Sequence, residues 1–306
     1  MQIMSSELKF RALCLGFFLT ATGAAFAQSD VPVTPPTLTH VHGLAYSPDG
    51  KRLMLPSHHG LAVYANGRWS KLAGPQHDYM GFAATKDRLY SSGHPAPGSG
   101  LPNPFGLIRS RDGGKTWDKL GFEGQSDFHL LATGWNSNAI YVWNPQPSAR
   151  LPANGLHLTL NEALEWRAAG AAGLAGAPQA LAVHPDDSAR VVVATSEGVY
   201  LSQDSGASFT RLGGKIDAYS VFFDLDGKRL WFGAFNGKAR LAHAPIAGGR
   251  ATEIGLPPLG RDAIAYIAQN PAARNEYAIA TFARDVFLSP DGGRKWKQIA
   301  RQGQVK

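Results

Sequence analysis

Seven of the ten histidines, His40, His42, His58, His59, His77, His94 and His129, fall between residues 40 and 129 of a 306-residue chain. Two carboxylates, Asp78 and Asp127, and one thioether, Met80, stand among them. Imidazole with thioether suits copper, and imidazole with carboxylate suits zinc or another divalent ion. The same groups also serve as general acids and bases. Thiol chemistry is absent, because the single cysteine, Cys14, lies in the N-terminal apolar stretch. A cluster of this kind works only if the chain folds these residues onto one surface.

A repeat organises the chain. Ser-x-Asp-x-Gly-x-x-aromatic occurs at Ser110–Trp117, Ser202–Phe209 and Ser289–Trp296. Weaker copies run from Thr159 through Asn161 to Trp166, and from Tyr64 through Asn66 and Gly67 to Trp69. The closing aromatics at 69, 117, 166, 209 and 296 are separated by 48, 49, 43 and 87 residues. The last gap is double, which points to a decayed copy near Gly248 to Ile254 and to six units. A period in the forties is the signature of a propeller or array. Each unit reads as four short strands; in the fourth they are 180–184, 190–195, 199–202 and 208–212. The Ala-rich stretch 161–175 carries Gly170 and Gly173, which favours a loop over a helix. Asp or Asn at the third position accepts backbone hydrogen bonds in a tight turn, so the motif is structural in origin.

These motifs resemble the Asp-box, or BNR, repeats of sialidases, sortilin-type receptors and a photosystem II assembly factor. The resemblance covers the whole mature chain and implies an all-β, six-bladed β-propeller. The segments His40-Val41-His42-Gly43, His77 to Phe82, Ser92 to Pro95 and Asp127-Phe128-His129 look like those of exported bacterial BNR-repeat proteins grouped with glycosyl hydrolases. A sialidase-like mechanism implies an arginine cluster, a tyrosine nucleophile with a Glu, and an Asp acid. Arg150, Arg261 and Arg284 with Glu197, Asp262 and Asp285 are the residues offered for it. The Arg-Ile-Pro expected in the first blade is missing, however, and the nearest string, Arg150-Leu151-Pro152, lies in the third.

In a four-stranded blade, the start of the innermost strand and the loop between strands two and three lie on one face, opposite the Ser-x-Asp turns. All seven clustered histidines map to that face. Aligned on Leu44, Phe82, Leu131, Leu181, Val221 and Ile267, the position two residues earlier reads His42, Met80, His129, Gln179, Tyr219 and Ala265. Two residues earlier again it reads His40, Asp78, Asp127, Ala177, Asp217 and Ala263. Residues two apart on a strand share a side, so these columns predict two stacked rings at the channel mouth. The expectation is a transition-metal or other ligand site (copper or zinc). His42 and His129 hold the ion, His40, His58, His59, His77 or His94 complete the set, and Asp78 and Asp127 orient imidazoles. The alternatives are glycan hydrolysis by Asp78 and Asp127 with Glu197, Arg261 and Arg284, or a non-enzymatic propeller that binds a protein partner.

Composition narrows the setting. Apolar residues make up 44% of the chain, enough for a sizeable core. The net charge of +7 is spread out with no long basic run, which gives nucleic-acid binding no support. Lys9 and Arg11, an apolar stretch from Ala12 to Phe26, and Ala25-Phe26-Ala27 read as a signal peptide over 1–27, cleaved after Ala27. The expected mature protein, 28–306, is one propeller domain without cysteine or membrane span, periplasmic or secreted.

Overall fold

The computed structural model describes residues 36–306, so the expected signal peptide over 1–27 lies outside the described residues. The described chain forms six antiparallel sheets in sequence order, five of four strands and the last of five, and no helix occurs among the described residues. The protein is a six-bladed β-propeller. Its innermost strands are Ala45–Tyr46, Asp78–Ala84, Leu131–Thr133, Pro178–Val183, Asp217–Phe223 and Ile264–Gln269.

Burial explains why each blade takes this form. The second strand of blade four, Val191–Thr195, is a Val-rich run buried at every position, as a strand covered on both faces must be. The outermost strand of the same blade, Thr210–Leu212, is exposed throughout. Each apolar cluster lies between two neighbouring sheets and not within one. Ala132, Tyr141 and Leu158 of blade three pack on Val183, Val193 and Phe209 of blade four. The remaining interfaces repeat the arrangement, and the last joins Leu44, Tyr46 and Leu55 of blade one to Ala268, Ala280 and Ile299 of blade six.

The ring closes through that last interface. Leu38, fully buried there, donates its backbone N–H to the Gly303 carbonyl at 2.9 Å. The Trp69 indole N–H donates to the Ile299 carbonyl at 2.9 Å, and Asn270 reaches the Gly50 carbonyl at 3.0 Å.

The repeated turns share one hydrogen-bond pattern. In the copy at Ser110, the Gly114 N–H donates to Ser110 Oγ at 2.8 Å, and the N–H groups of Lys115 and Thr116 donate to Asp112 Oδ1 at 3.0 and 2.9 Å. The copies at Ser202 and Ser289 repeat it, and Thr159 with Asn161 reproduces it in blade three. Blade one departs from it. Asn66 and Gly67, both at positive φ, make a two-residue hairpin turn in place of the longer loop. The stretch 161–175 is turns, the two-residue strand Arg167–Ala168 and a connection, as the glycines implied.

Because Leu38 is fully buried where the ring closes, Leu38→Ala is expected to cost about 2–5 kcal/mol. Chemical denaturation of the two proteins measures this, and an unchanged midpoint would mean that the ring does not depend on that contact.

Candidate functional site

A central cavity of about 220 Å³ runs between the innermost strands. Leu44, Phe82, Leu131, Leu181, Val221 and Ile267 all line it, and His42, His129, Gln179, Tyr219 and Ala265 lie along it as well. The ring expected from the aligned strands is therefore present. Met80 is its exception as a ligand: its side chain lies against Gly93.

Backbone geometry brings the histidines close. The His42 N–H donates to the Pro56 carbonyl at 3.1 Å, which ties residues 40–44 to the strand Leu53–Ser57. A Cβ at Gly43 would sit 2.9 Å from Phe82 Cβ, so only glycine allows blades one and two this approach. Asp78 and His94 are partners across the first two strands of blade two.

Two clusters result. In the first, one ring nitrogen from each of His40, His42 and His58 lies within 4.8 Å of the others. The rings of His40 and His58 are 4.6 Å apart, and those of His42 and His58 are 4.8 Å apart. His58 Nδ1 lies 2.7 Å from Asp78 Oδ2, and since a carboxylate only accepts, the nitrogen carries the proton. His42 Nε2 is buried 3.6 Å from Asp78 Oδ1, and neither atom has a hydrogen-bond partner in the protein. In the second cluster, His94 Nε2 and His129 Nε2 lie 3.0 and 2.7 Å from the same oxygen, Asp127 Oδ2. His94 Nδ1 meets Asn103 Oδ1 at 2.7 Å, and Asp127 Oδ1 is buried without a partner.

The clusters differ in electrostatics. Burial pushes His42 down to about 4 against the attraction of Asp78, and the neighbouring imidazoles of His58, His40 and His129 lower it further. His42 is thus neutral at pH 7, and its contact with Asp78 is not an ion pair. His129 moves the other way, raised chiefly by its hydrogen bond to Asp127.

His42 and His129, expected to share one ion, fall in adjoining clusters. His59 is exposed beside His58 and belongs to neither cluster. His77 is buried against Tyr79 and Phe105, and its Nδ1 accepts the Ala96 N–H at 2.9 Å, which secures the start of the loop after His94. Asp78 and Asp127 both hold imidazoles, and Asp127 is itself within ligand reach.

The residues offered for a sialidase-like reaction are engaged elsewhere. The Arg150 guanidinium sits 4.7 Å over the Phe122 ring and donates to the carbonyls of Leu120 and Ala163. Arg284 donates to the Thr39 carbonyl at 3.0 Å, Glu197 pairs with Lys215 at 2.6 Å, and Arg261 is exposed. Asp262 accepts the N–H groups of Ala263 and Ala283, and Asp285 accepts that of Gln302. Among the described residues, none of these six side chains hydrogen-bonds another.

The far half of the mouth is saturated. Asp217 accepts from Gln179 Nε2 at 2.7 Å and from the Tyr219 hydroxyl at 2.6 Å. Two residues not foreseen also belong here. Phe282, 59% exposed, lines the cavity and meets Tyr219 edge-on, and Asn103 orients His94. The Pro/Gly-rich composition of 95–105 marks a loop but does not reveal that Asn103 folds back onto His94.

No protein-family profile and no curated protein sequence matches the chain. Solved structures do. A chain of the nidogen/laminin complex is similar over 83% of this chain and 95% of its own, at 11% identity and a TM-score of 0.59. The GH74 xyloglucanase from Xanthomonas campestris is similar over 87% of this chain, at 17% identity and a TM-score of 0.57. YCF48 from Cyanidioschyzon merolae is similar over 87% of this chain and 86% of its own, at 14% identity and a TM-score of 0.50. The chain spans 46% of the xyloglucanase's length. These are likenesses of fold.

In metal-free protein, ring-proton NMR is expected to show His42 titrating near 4 and His129 above 6.5. Since the unfolded chain takes up the His42 proton first, stability falls as pH drops from 6.5 towards 4, by on the order of 3 kcal/mol at the limit. His129 contributes oppositely: its stabilisation is present below 6.5 and is lost as pH rises through its folded value. A His42 titration near 6.5 would contradict the burial argument.

Proposed function

We propose that this propeller is an exported metal-binding protein whose channel mouth holds a divalent transition ion on His40, His42 and His58. The observation that carries the reading is the orphaned pair at its centre. His42 Nε2 and Asp78 Oδ1 are buried 3.6 Å apart without hydrogen-bond partners, beside two more imidazoles. Buried polar atoms are nearly always satisfied, so a site that leaves two unpaired next to ring nitrogens invites a cation. His42 supports the reading further, because a ligand must be deprotonated and burial keeps this ring neutral. Asp78 holds the His58 ring by Nδ1, the outer contact that fixes a ligand's orientation.

Zinc or a similar borderline ion fits best, since three imidazoles converge beside the Asp78 carboxylate. Export agrees with this chemistry. With Cys14 removed along with the signal segment, the mature chain relies on oxidation-resistant nitrogen and oxygen donors.

Protein purified from the exporting cell is expected to begin at Gln28 and to retain zinc or copper on elemental analysis. His42→Ala should remove the ion of this cluster, and Asp78→Asn should weaken its affinity about 10–100-fold. Metal content of zero in the purified protein and after reloading, or content unchanged in His42→Ala, would remove the reading. Turnover of a glycoside panel that is lost in Asp78→Asn would replace it with the hydrolase.

A further inference from the structure

We infer that His94, Asp127 and His129 form a second, separate divalent-metal site with coordination positions open to solvent. The inference rests on reading the channel mouth as metal-binding, but on different residues. The three ligand atoms already converge: both Nε2 atoms lie within 3.0 Å of Asp127 Oδ2. In a tetrahedral site with bonds of about 2.0–2.1 Å, neighbouring ligand atoms stand roughly 3.3 Å apart, so Asp127 Oδ2 need part from each ring nitrogen by only tenths of an ångström.

The surrounding contacts fix the direction of the lone pairs. The contact of His94 Nδ1 with Asn103 Oδ1 at 2.7 Å orients the ring so that its Nε2 faces Asp127 Oδ2 at 3.0 Å. A ring nitrogen and a carboxylate oxygen this close share a cation, either a proton or a metal ion. The loop carrying Asn103 is itself pinned where His77 Nδ1 accepts the Ala96 N–H. The remaining carboxylate oxygen, Asp127 Oδ1, is buried and without a partner.

Two imidazoles and one carboxylate make a three-ligand set, which leaves one position free in tetrahedral geometry and three in octahedral. Solvent reaches this cluster: the side chains of His94 and His129 are 40% and 59% exposed. It is an open site where water or an oxygen-donor ligand exchanges on the ion. Asp127 is therefore a ligand here and not only an orienting group.

The test loads chelator-stripped, full-length mature protein with Zn(II) in equilibrium dialysis and counts bound metal. Two equivalents are expected for the wild type. One is expected for His58→Ala and one for Asp127→Asn, an isosteric change that preserves packing, with cooperative melting confirming that both fold. In His58→Ala loaded with Mn(II), solvent-proton relaxation should exceed that of free Mn(II), because water exchanges on the ion. His94→Gln added to that variant should abolish the effect. One equivalent in the wild type that only His58→Ala removes would show that a proton alone sits on Asp127, and would overturn this inference while sparing the first site. Loss of all metal in either variant would show one shared site and overturn it too. No metal in the wild type would overturn both.

Discussion

The structure depends on the packing of each sheet against its neighbours. A four-stranded blade here has no core of its own, because the apolar faces of Tyr141, Val193 and Phe209 are covered only by the adjoining sheet. A single blade would leave those faces in water, and a row of blades would leave two faces bare at its ends. Closing the row covers both, and Leu38, Trp69 and Asn270 do so by joining the first sheet to the sixth. The closed ring then forces every innermost strand to begin around the same opening. Residues separated by tens of positions in the chain, such as His58 and Asp78 or His94 and Asp127, become neighbours as a geometric consequence.

That convergence has an electrostatic cost which the two halves of the mouth meet differently. Asp217 is neutralised by ordinary donors, the Gln179 amide and the Tyr219 hydroxyl, and both its oxygens are engaged. Asp78 and Asp127 occupy the equivalent places in blades two and three, and each keeps a buried oxygen without a partner while imidazoles crowd the other. The aligned position thus carries a satisfied acid in blade five and under-satisfied ones in blades two and three. Those two acids beside five imidazoles are what sets this side of the mouth apart.

Much of the architecture was legible because it rests on local rules. The spacing of Trp117, Trp166 and Phe209 counts blades, and the Ser-x-Asp turns form wherever a side-chain oxygen can close the same loop. The Tyr64 to Trp69 copy failed because Asn66-Gly67 fits a tighter two-residue turn, a preference already visible in that dipeptide. The site was legible as a ring but not as a partition. Counting back by twos from the innermost strands puts His42 and His129 on the cavity, although both lie ahead of their strands and a register shift separates Tyr79 from Phe82, and His77 lies at the interface with Tyr79. The division of the histidines into two clusters depends on side-chain reach across blades. So does the role of Asn103, which a loop of twelve residues returns to His94.

The likeness to a xyloglucanase and to a chain of the nidogen/laminin complex illustrates how little the fold itself decides. A propeller offers the same ring of strand ends whatever stands on them. What distinguishes this chain is which side chains occupy those ends. The six arginines and carboxylates that a sialidase-like reaction would draw on are held by backbone groups or by Lys215, or lie exposed, so they brace loops. The imidazoles of His40, His42, His58, His94 and His129, by contrast, converge on one another and on two acids, and His42 Nε2 is left buried without a partner. Arg150 and Arg284 on this surface thus serve structure, while the imidazoles gather around Asp78 and Asp127 and burial holds His42 neutral.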